Sequence, residues 1–218
     1  MRSMISHATI AGVILGGGSA RRLFPESPKG GDKGLADLAG RPMLAHIIAR
    51  FQPQVARLVL NINGPAERFA PFELDVVADE GPGEHGPLAG LVAALAWAAR
   101  TDGMAALATV STDVPFLPFD LVSRLAAARE GRIDRPVLAV SAERRHPTIA
   151  LWPLGLEDEA RKTLQRGELS VDAFSKRHGA IAVSFPMGNI GGRTVDPFFN
   201  ANTPDDLAAA RALLDAQR

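Results

Sequence analysis

The sequence contains no cysteine, which excludes disulfide bridges and thiolate metal sites. It has no excess of either charge: 24 basic and 24 acidic side chains leave a formal net charge of zero. No basic stripe stands out, so the electrostatic footprint of a nucleic-acid-binding protein is missing. Long apolar runs are lacking too. The longest, such as Ile10–Leu15, fall far short of the roughly 20 residues that a bilayer-spanning helix needs. Residues 1–7 offer two initiators, Met1 and Met4, but no apolar core of a signal peptide. The expected location is the cytoplasm, with neither a membrane nor a nucleic acid as partner.

What is present suits one compact domain: 218 residues, 46% of them apolar and 22% charged. Short apolar runs alternate with helical patterns. Strands are expected at 8–15, 57–62, 74–78, 105–110, 137–140, 148–152 and 180–185. The expected helices lie at 42–51, 88–100, 118–129, 154–166 and 171–178, with a last one opened by Thr203-Pro204-Asp205-Asp206. Pro118 is read at the first turn of its helix, and Thr203 as an N-cap followed by proline and acids. The strands at 137–140 and 148–152 are expected to pair antiparallel through Glu143-Arg144-Arg145-His146. Apolar residues barely alternate along the first strand, so both of its faces should be buried. This alternation predicts an α/β fold: a single doubly wound, mostly parallel sheet with helices on both faces. Such sheets bind ligands at the carboxyl ends of their strands. The polar residues fall there. The first strand runs into Gly16-Gly17-Gly18, the second into Asn61 and Asn63, the third into Asp79 and the fourth into Asp113.

Leu15-Gly16-Gly17-Gly18-Ser19-Ala20-Arg21-Arg22 carries the most chemistry. Three glycines after a buried strand allow a tight turn and a close backbone approach to phosphate oxygens, with Arg21 or Arg22 to neutralise them. The dinucleotide fingerprint is excluded because no glycine stands at its third position. The P-loop is excluded because Gly-Lys never precedes Ser or Thr. Lys33, in Gly30-Gly31-Asp32-Lys33-Gly34, is placed to fold back over bound phosphates.

With Leu38-Ala39-Gly40-Arg41-Pro42, these segments resemble the nucleotidyltransferases whose loop reads Leu-x-Gly-Gly-x-x-x-Arg, followed by Asp-Lys and Leu-x-Gly-x-Pro. The likeness is greatest to the molybdenum cofactor guanylyltransferases, the MobA family. Gly86-Pro87-Leu88-Ala89-Gly90, Thr112-Asp113-Val114-Pro115-Phe116, His146-Pro147-Thr148-Ile149-Ala150-Leu151 and Phe199-Asn200-Ala201-Asn202-Thr203-Pro204 are similar to further family blocks in family order. The resemblance implies a nucleotide-binding half over 8–115 and an acceptor-binding half over 116–218. Leu15, Gly16 and Gly17 would hold guanine and ribose through the backbone, with Gly18 and Arg22 beneath the phosphates. Lys33 would contact the triphosphate. Asn61 and Asp79 would complete the nucleotide pocket, Asp79 facing guanine N1–H and N2–H₂. Asp113 would bind Mg²⁺, the implied cofactor, since one carboxylate suits an ion that keeps most of its waters. Asn200 and Asn202 would lie near the acceptor or the metal, or else serve as turn residues before the last helix.

The resemblance also implies the reaction: GMP moves from GTP to the phosphate of molybdopterin, or its molybdenum-bound form, and pyrophosphate leaves. Molybdenum cofactor insertion proteins or apo-molybdoenzymes are the implied partners. Three other readings share the loop or the fold: a molybdopterin cytidylyltransferase, another small-molecule nucleotidyltransferase, and a non-catalytic cofactor-delivery protein. Gly17 favours a purine. The chain departs from the family in a longer loop after Arg22, which brings in Lys29 as an alternative to Lys33. It also has Gly16 where alanine is common, a change expected to be tolerated. His146 has no carboxylate in its own segment and is read as holding a strand end. Arg144-Arg145-His146 is either an acceptor contact or a solvated turn. Glu84-His85 is read as a solvated loop, and Trp97 and Trp152 as core or interface aromatics.

Overall fold

The structure, a computed structural model, describes residues 7–16, 23, 31–79, 86–129 and 131–216. Strand β1 (Ile10–Leu15) is buried along its whole length. Ile10 and Ile14 pack into one core, while Ala11, Val13 and Leu15 pack into the other. This burial on two faces is why the strand shows no polar alternation. A two-residue hairpin, β2 (Asp37–Leu38) and β3 (Arg41–Pro42), leads into helix α1 (Met43–Phe51). Then come β4 (Arg57–Asn61), β5 (Asp75–Val77), helix α2 (Gly86–Ala99) and β6 (Ala106–Ser111). The second half holds helix α3 (Leu121–Ala128), strands β7 (Val137–Ser141) and β8 (Arg144–Pro153), and helices α4 (Glu157–Gln165) and α5 (Val171–Arg177). It closes with β9 (Ile181–Ser184), a short hairpin of β10 (Gly188–Ile190) and β11 (Arg193–Val195), and helix α6 (Pro204–Asp215).

The central sheet has seven strands in the order β5-β4-β1-β6-β8-β7-β9. The first four are mutually parallel, and β7 and β9 are parallel to each other. Only β8 runs against its neighbours, because it returns from β7 through a tight turn. Helices α1, α3 and α6 cover one face, and α2, α4 and α5 cover the other. This is the doubly wound, mostly parallel arrangement that the alternating pattern predicts. Helix α2 is buried on nearly every side, from Leu88 to Ala98, because it lies between the sheet and α4 and α5. Its nearly uniform apolar composition follows from that position.

Several expected element boundaries need correction. Strand β1 begins at Ile10, after a 3₁₀ turn (His7–Thr9). Strand β8 begins at Arg144 rather than Thr148, so Arg144-Arg145-His146 belong to the strand and the turn is Ala142-Glu143. Helix α3 begins at Leu121 rather than Pro118, with Asp120 as N-cap but no cap bond from the Asp120 side chain. The capping group is remote: buried Gln54 accepts from Val122 N–H through Oε1 (2.9 Å) and donates to the Pro118 carbonyl (2.9 Å). That satisfies a helix-start N–H and leaves Pro118 in the turn before the helix. The segment expected as one helix over 154–166 starts with a 3₁₀ turn (Leu154–Leu156) before α4. Helix α6 begins as expected. Thr203 Oγ1 accepts from Asp206 N–H, and the Asp206 carboxylate accepts from Thr203 N–H, a reciprocal capping box. Trp152 is fully buried with its indole N–H on Thr109 Oγ1 (3.0 Å), a core residue as expected.

Candidate active site at the carboxyl edge of the sheet

The carboxyl ends of β1, β4, β5 and β6 open on one cleft. These strand ends line it with Leu15, Asn61, Asp79, Ser111, Thr112 and Asp113. Lys33 enters from a 3₁₀ turn (Lys33–Leu35), and Gly86, Pro87 and Gly90 from the start of α2. Thr148 and Asn200 reach it from the second half. Gly17, Gly18, Arg21, Arg22 and Lys29 lie outside the described residues, as do Glu84 and His85.

One end of the cleft is built around Asp79. Asn61 donates to Asp79 Oδ1 (2.9 Å), and Asn63 donates to Oδ2 (2.8 Å). Asn63 Oδ1 in turn accepts from Asp79 N–H (3.1 Å). The carboxylate is thus fixed from both sides, with one neutral donor on each oxygen. A carboxylate has about four lone-pair positions, so each oxygen keeps capacity for a further donor. Asn61 itself is almost fully buried, and its amide also donates to the Val77 carbonyl (3.0 Å).

Two glycines make room for Asn61. A Cβ on Gly90 would lie 2.5 Å from Asn61 Oδ1, which lets α2 pack directly against that side chain. A Cβ on Gly16 would lie 2.8 Å from the Asn61 carbonyl oxygen, which already accepts from Gly16 N–H (2.7 Å), and 2.6 Å from Ile62 Cγ2. Position 16 therefore takes no alanine in this chain without a backbone shift. Glycine fits here because Ile62 fills the space that a methyl group would need.

The other end is built around Asp113. Ser111 donates its hydroxyl to Asp113 Oδ1 (2.7 Å), and the Lys33 ammonium sits 3.5 Å from Oδ2. Lys33 also donates to Asn202 Oδ1. Asp32, its neighbour, pairs instead with Arg68. The backbone carbonyl of Asp113 accepts from Ala201 N–H (2.8 Å), tying residues 196–203 to the end of β6. Asn200 and Asn202 are thus brought beside Lys33 and Asp113, and Asn202 N–H also joins the α6 capping box. Among the described residues no three His, Asp or Glu side chains cluster as a metal site. The donor set at Asp113 fits a hard divalent ion all the same: a single carboxylate, with one oxygen already facing a cation, suits Mg²⁺ with phosphate oxygens and water as its other ligands.

Arg144, Arg145 and His146 do not act as one group. Arg145 is held by Asp172 (3.1 Å) and Ser175 (3.2 Å) on α5, and Arg144 is exposed. His146 is buried, and burial pulls its imidazole below the ordinary histidine range against the opposing pull of Asp196. Its partner is Ser141 (2.8 Å). Ser111 and Thr148 line the cleft beyond the residues given a role from sequence. The signal for them was their place beside residues already assigned.

A family described as the MobA-like NTP transferase domain matches residues 12–180. A molybdenum cofactor guanylyltransferase of Mesorhizobium japonicum is 45% identical over 208 residues, covering 95% of this chain and 97% of its own. Another, of Rhodopseudomonas palustris, is 42% identical over 212 residues and 96% of each chain. Among solved structures, molybdopterin-guanine dinucleotide biosynthesis protein A of Archaeoglobus fulgidus has the same fold. It gives a TM-score of 0.68 at 22% identity, over 94% of this chain and 98% of its own.

Proposed function

Because the chain belongs to the MobA-like NTP transferase family, we propose that it transfers GMP from GTP to the terminal phosphate of molybdopterin, releasing pyrophosphate. One observation carries this reading beyond the family relation: a donor-accepting carboxylate, Asp79, and a cation–carboxylate pair, Lys33 with Asp113, share one cleft. Guanine presents two adjacent donors, N1–H and N2–H₂. They match the free acceptor positions that Asn61 and Asn63 leave on Asp79. Leu15, Gly16 and Gly17 are assigned to the base and ribose, and Gly18 and Arg22 to the phosphates, by the family motif.

An oxygen of the acceptor phosphate attacks the α-phosphorus, the bond to the β-phosphate bridge breaks, and pyrophosphate departs. The attacking group is already anionic near neutral pH, so no strong general base is required. The barrier lies in bringing two anions together in line. Lys33 contributes a positive charge at the triphosphate, and Asn202 fixes where it sits. Mg²⁺ on Asp113 would supply the remaining charge neutralisation at the phosphates. We assign 8–115 to the nucleotide and 116–218 to the acceptor, with Thr148, Asn200 and Asn202 reaching across to the reacting phosphates. Since GTP is the donor, the reaction belongs in the cytoplasm, and its product would pass to cofactor-insertion proteins or apo-molybdoenzymes.

The test is the rate of Mg²⁺-dependent pyrophosphate release from GTP with molybdopterin present. Lys33→Ala and Asp113→Ala are each expected to slow it by about 10²–10³-fold while circular dichroism and melting stay close to wild type. Near-normal rates in both variants would remove the assignment.

A further inference from the structure

The His146-Pro147-Thr148 block and the closing Asn200-Ala201-Asn202 block lie far apart in sequence. A partly buried chain of hydrogen bonds ties the first to the segment that carries the second. Ser141, at the end of β7 and fully buried, donates its hydroxyl to Asp196 Oδ1 (2.6 Å). The hydroxyl has a single hydrogen, so the bond between Ser141 Oγ and His146 Nε2 (2.8 Å) must be donated by the imidazole. His146 therefore carries its proton on Nε2, and the chain runs His146 N–H to Ser141 O–H to the Asp196 carboxylate. Asp196 Oδ1 also accepts from Phe198 N–H (2.8 Å), and the Asp196 carbonyl accepts from Phe199 N–H (3.0 Å). Phe198 is buried against the His146 ring, with centroids 4.8 Å apart, and against Phe185 at 5.1 Å.

Residues 196–203 have no regular secondary structure. They are held at one end by this chain, in the middle by Ala201 N–H on the Asp113 carbonyl, and at the other end by the α6 capping box. This strap carries Asn200 into the cleft and Asn202 onto Lys33. The turn that aims Ser141 is itself costly: Ala142 and Glu143 both take positive φ values, +45° and +63°, which favour glycine or asparagine. The cross-strand bond between Ser141 and His146 spans that turn.

We propose that Ser141, His146 and Asp196 are positioning residues, whose hydrogen-bonded chain locks the strap so that Asn200 and Asn202 meet Lys33 and Asp113 in the reacting geometry. The inference rests on the reading of the cleft as the site of nucleotidyl transfer. Supporting groups of this kind typically change activity by about 10–100-fold when removed.

The experiment compares wild type with Ser141→Ala, His146→Leu, His146→Gln and Val171→Ala, the last a core control on α5. Hydrogen exchange over residues 196–203 is read first, because it needs no substrate. Ser141→Ala and His146→Leu should exchange there at least tenfold faster, whereas His146→Gln, which keeps a donor, and Val171→Ala should not. Pyrophosphate release with GTP and molybdopterin is read second. Ser141→Ala should lower kcat about tenfold, keep the calorimetric Kd for GTP within twofold, and add nothing to Asn202→Ala in the double variant. An unloosened strap in Ser141→Ala, an unchanged kcat, or a loss additive with Asn202→Ala would overturn the proposal. A strap that loosens as expected in a wild-type background inactive with GTP would sink the functional reading and leave the mechanical link standing.

Discussion

The two halves of the chain deliver side chains to the cleft in different ways. In the first half, Leu15, Asn61, Asp79 and Asp113 sit at or just past the ends of four adjacent parallel strands, so the sheet itself aligns them. In the second half, Asn200 and Asn202 sit on an irregular strap fixed by bonds from Ser141, the Asp113 backbone and Asp206. The strand-end residues take their positions from topology. The strap residues take theirs from a few hydrogen bonds, and those through Ser141, Asp196 and Asp206 depend on side chains that a single substitution removes. Binding at the first set and reaction geometry at the second should therefore be separable.

Five substitutions and one change of condition probe that separation, beginning with the largest effect. Loss of Lys33 or Asp113, where the halves meet, should be the most damaging to turnover, as given above. Asp79→Asn belongs wholly to the strand edge and should raise the KM for GTP about 10–100-fold, the equivalent of 1.5–3 kcal/mol for charge-assisted hydrogen bonds. Its kcat at saturating GTP should stay within about threefold; a kcat loss matching that of Asn202→Ala would erase the distinction. Gly90→Ala pushes a methyl group into Asn61 Oδ1. It should raise the KM for GTP and cost about 1–3 kcal/mol of stability by overpacking, read in urea unfolding. Gln54→Leu removes the remote cap of α3 and should cost about 1–3 kcal/mol with turnover unchanged. An activity loss in that variant would mean that the α3 entry also shapes the cleft.

Acidification has the smallest effect. His46, His146 and His178 are all held below the ordinary histidine value, chiefly by burial. As pH falls below about 6.5 the unfolded chain takes up protons that the folded chain does not, so stability falls through that window. The melting temperature should drop between pH 7 and pH 5, by on the order of 2–4 °C for each kcal/mol lost. His146→Gln should flatten part of that slope, and an unchanged slope would place the proton uptake at the other two histidines.

How much of this was legible in the sequence follows the same division. Strand β1, the Thr203 N-cap of α6 and the gathering of polar strand ends are written in the sequence pattern, and each is present as expected. The start of α3 was misplaced because its cap comes from Gln54, a residue that no local rule connects to Val122. Glycine is accommodated at position 16 as expected, but that it is needed there is not legible locally, because the space belongs to Ile62 and the Asn61 carbonyl beside it. His146 has no carboxylate in its own segment and reads as holding a strand end. Its carboxylate partner exists, but 50 residues further along the chain and through a serine. Two-residue strands such as β2 and β3 are too short to carry a period.

In the proposed reaction, Asp79 reads guanine and Lys33 grips the phosphates. The most direct measurement is pyrophosphate release by the wild-type protein with GTP, CTP and ATP in turn, with molybdopterin as acceptor and Mg²⁺ present. Turnover with GTP should lie well above that with the other two, and Asp79→Asn should lose that preference. Preference for CTP, or release of pyrophosphate that ignores the base, would contradict it.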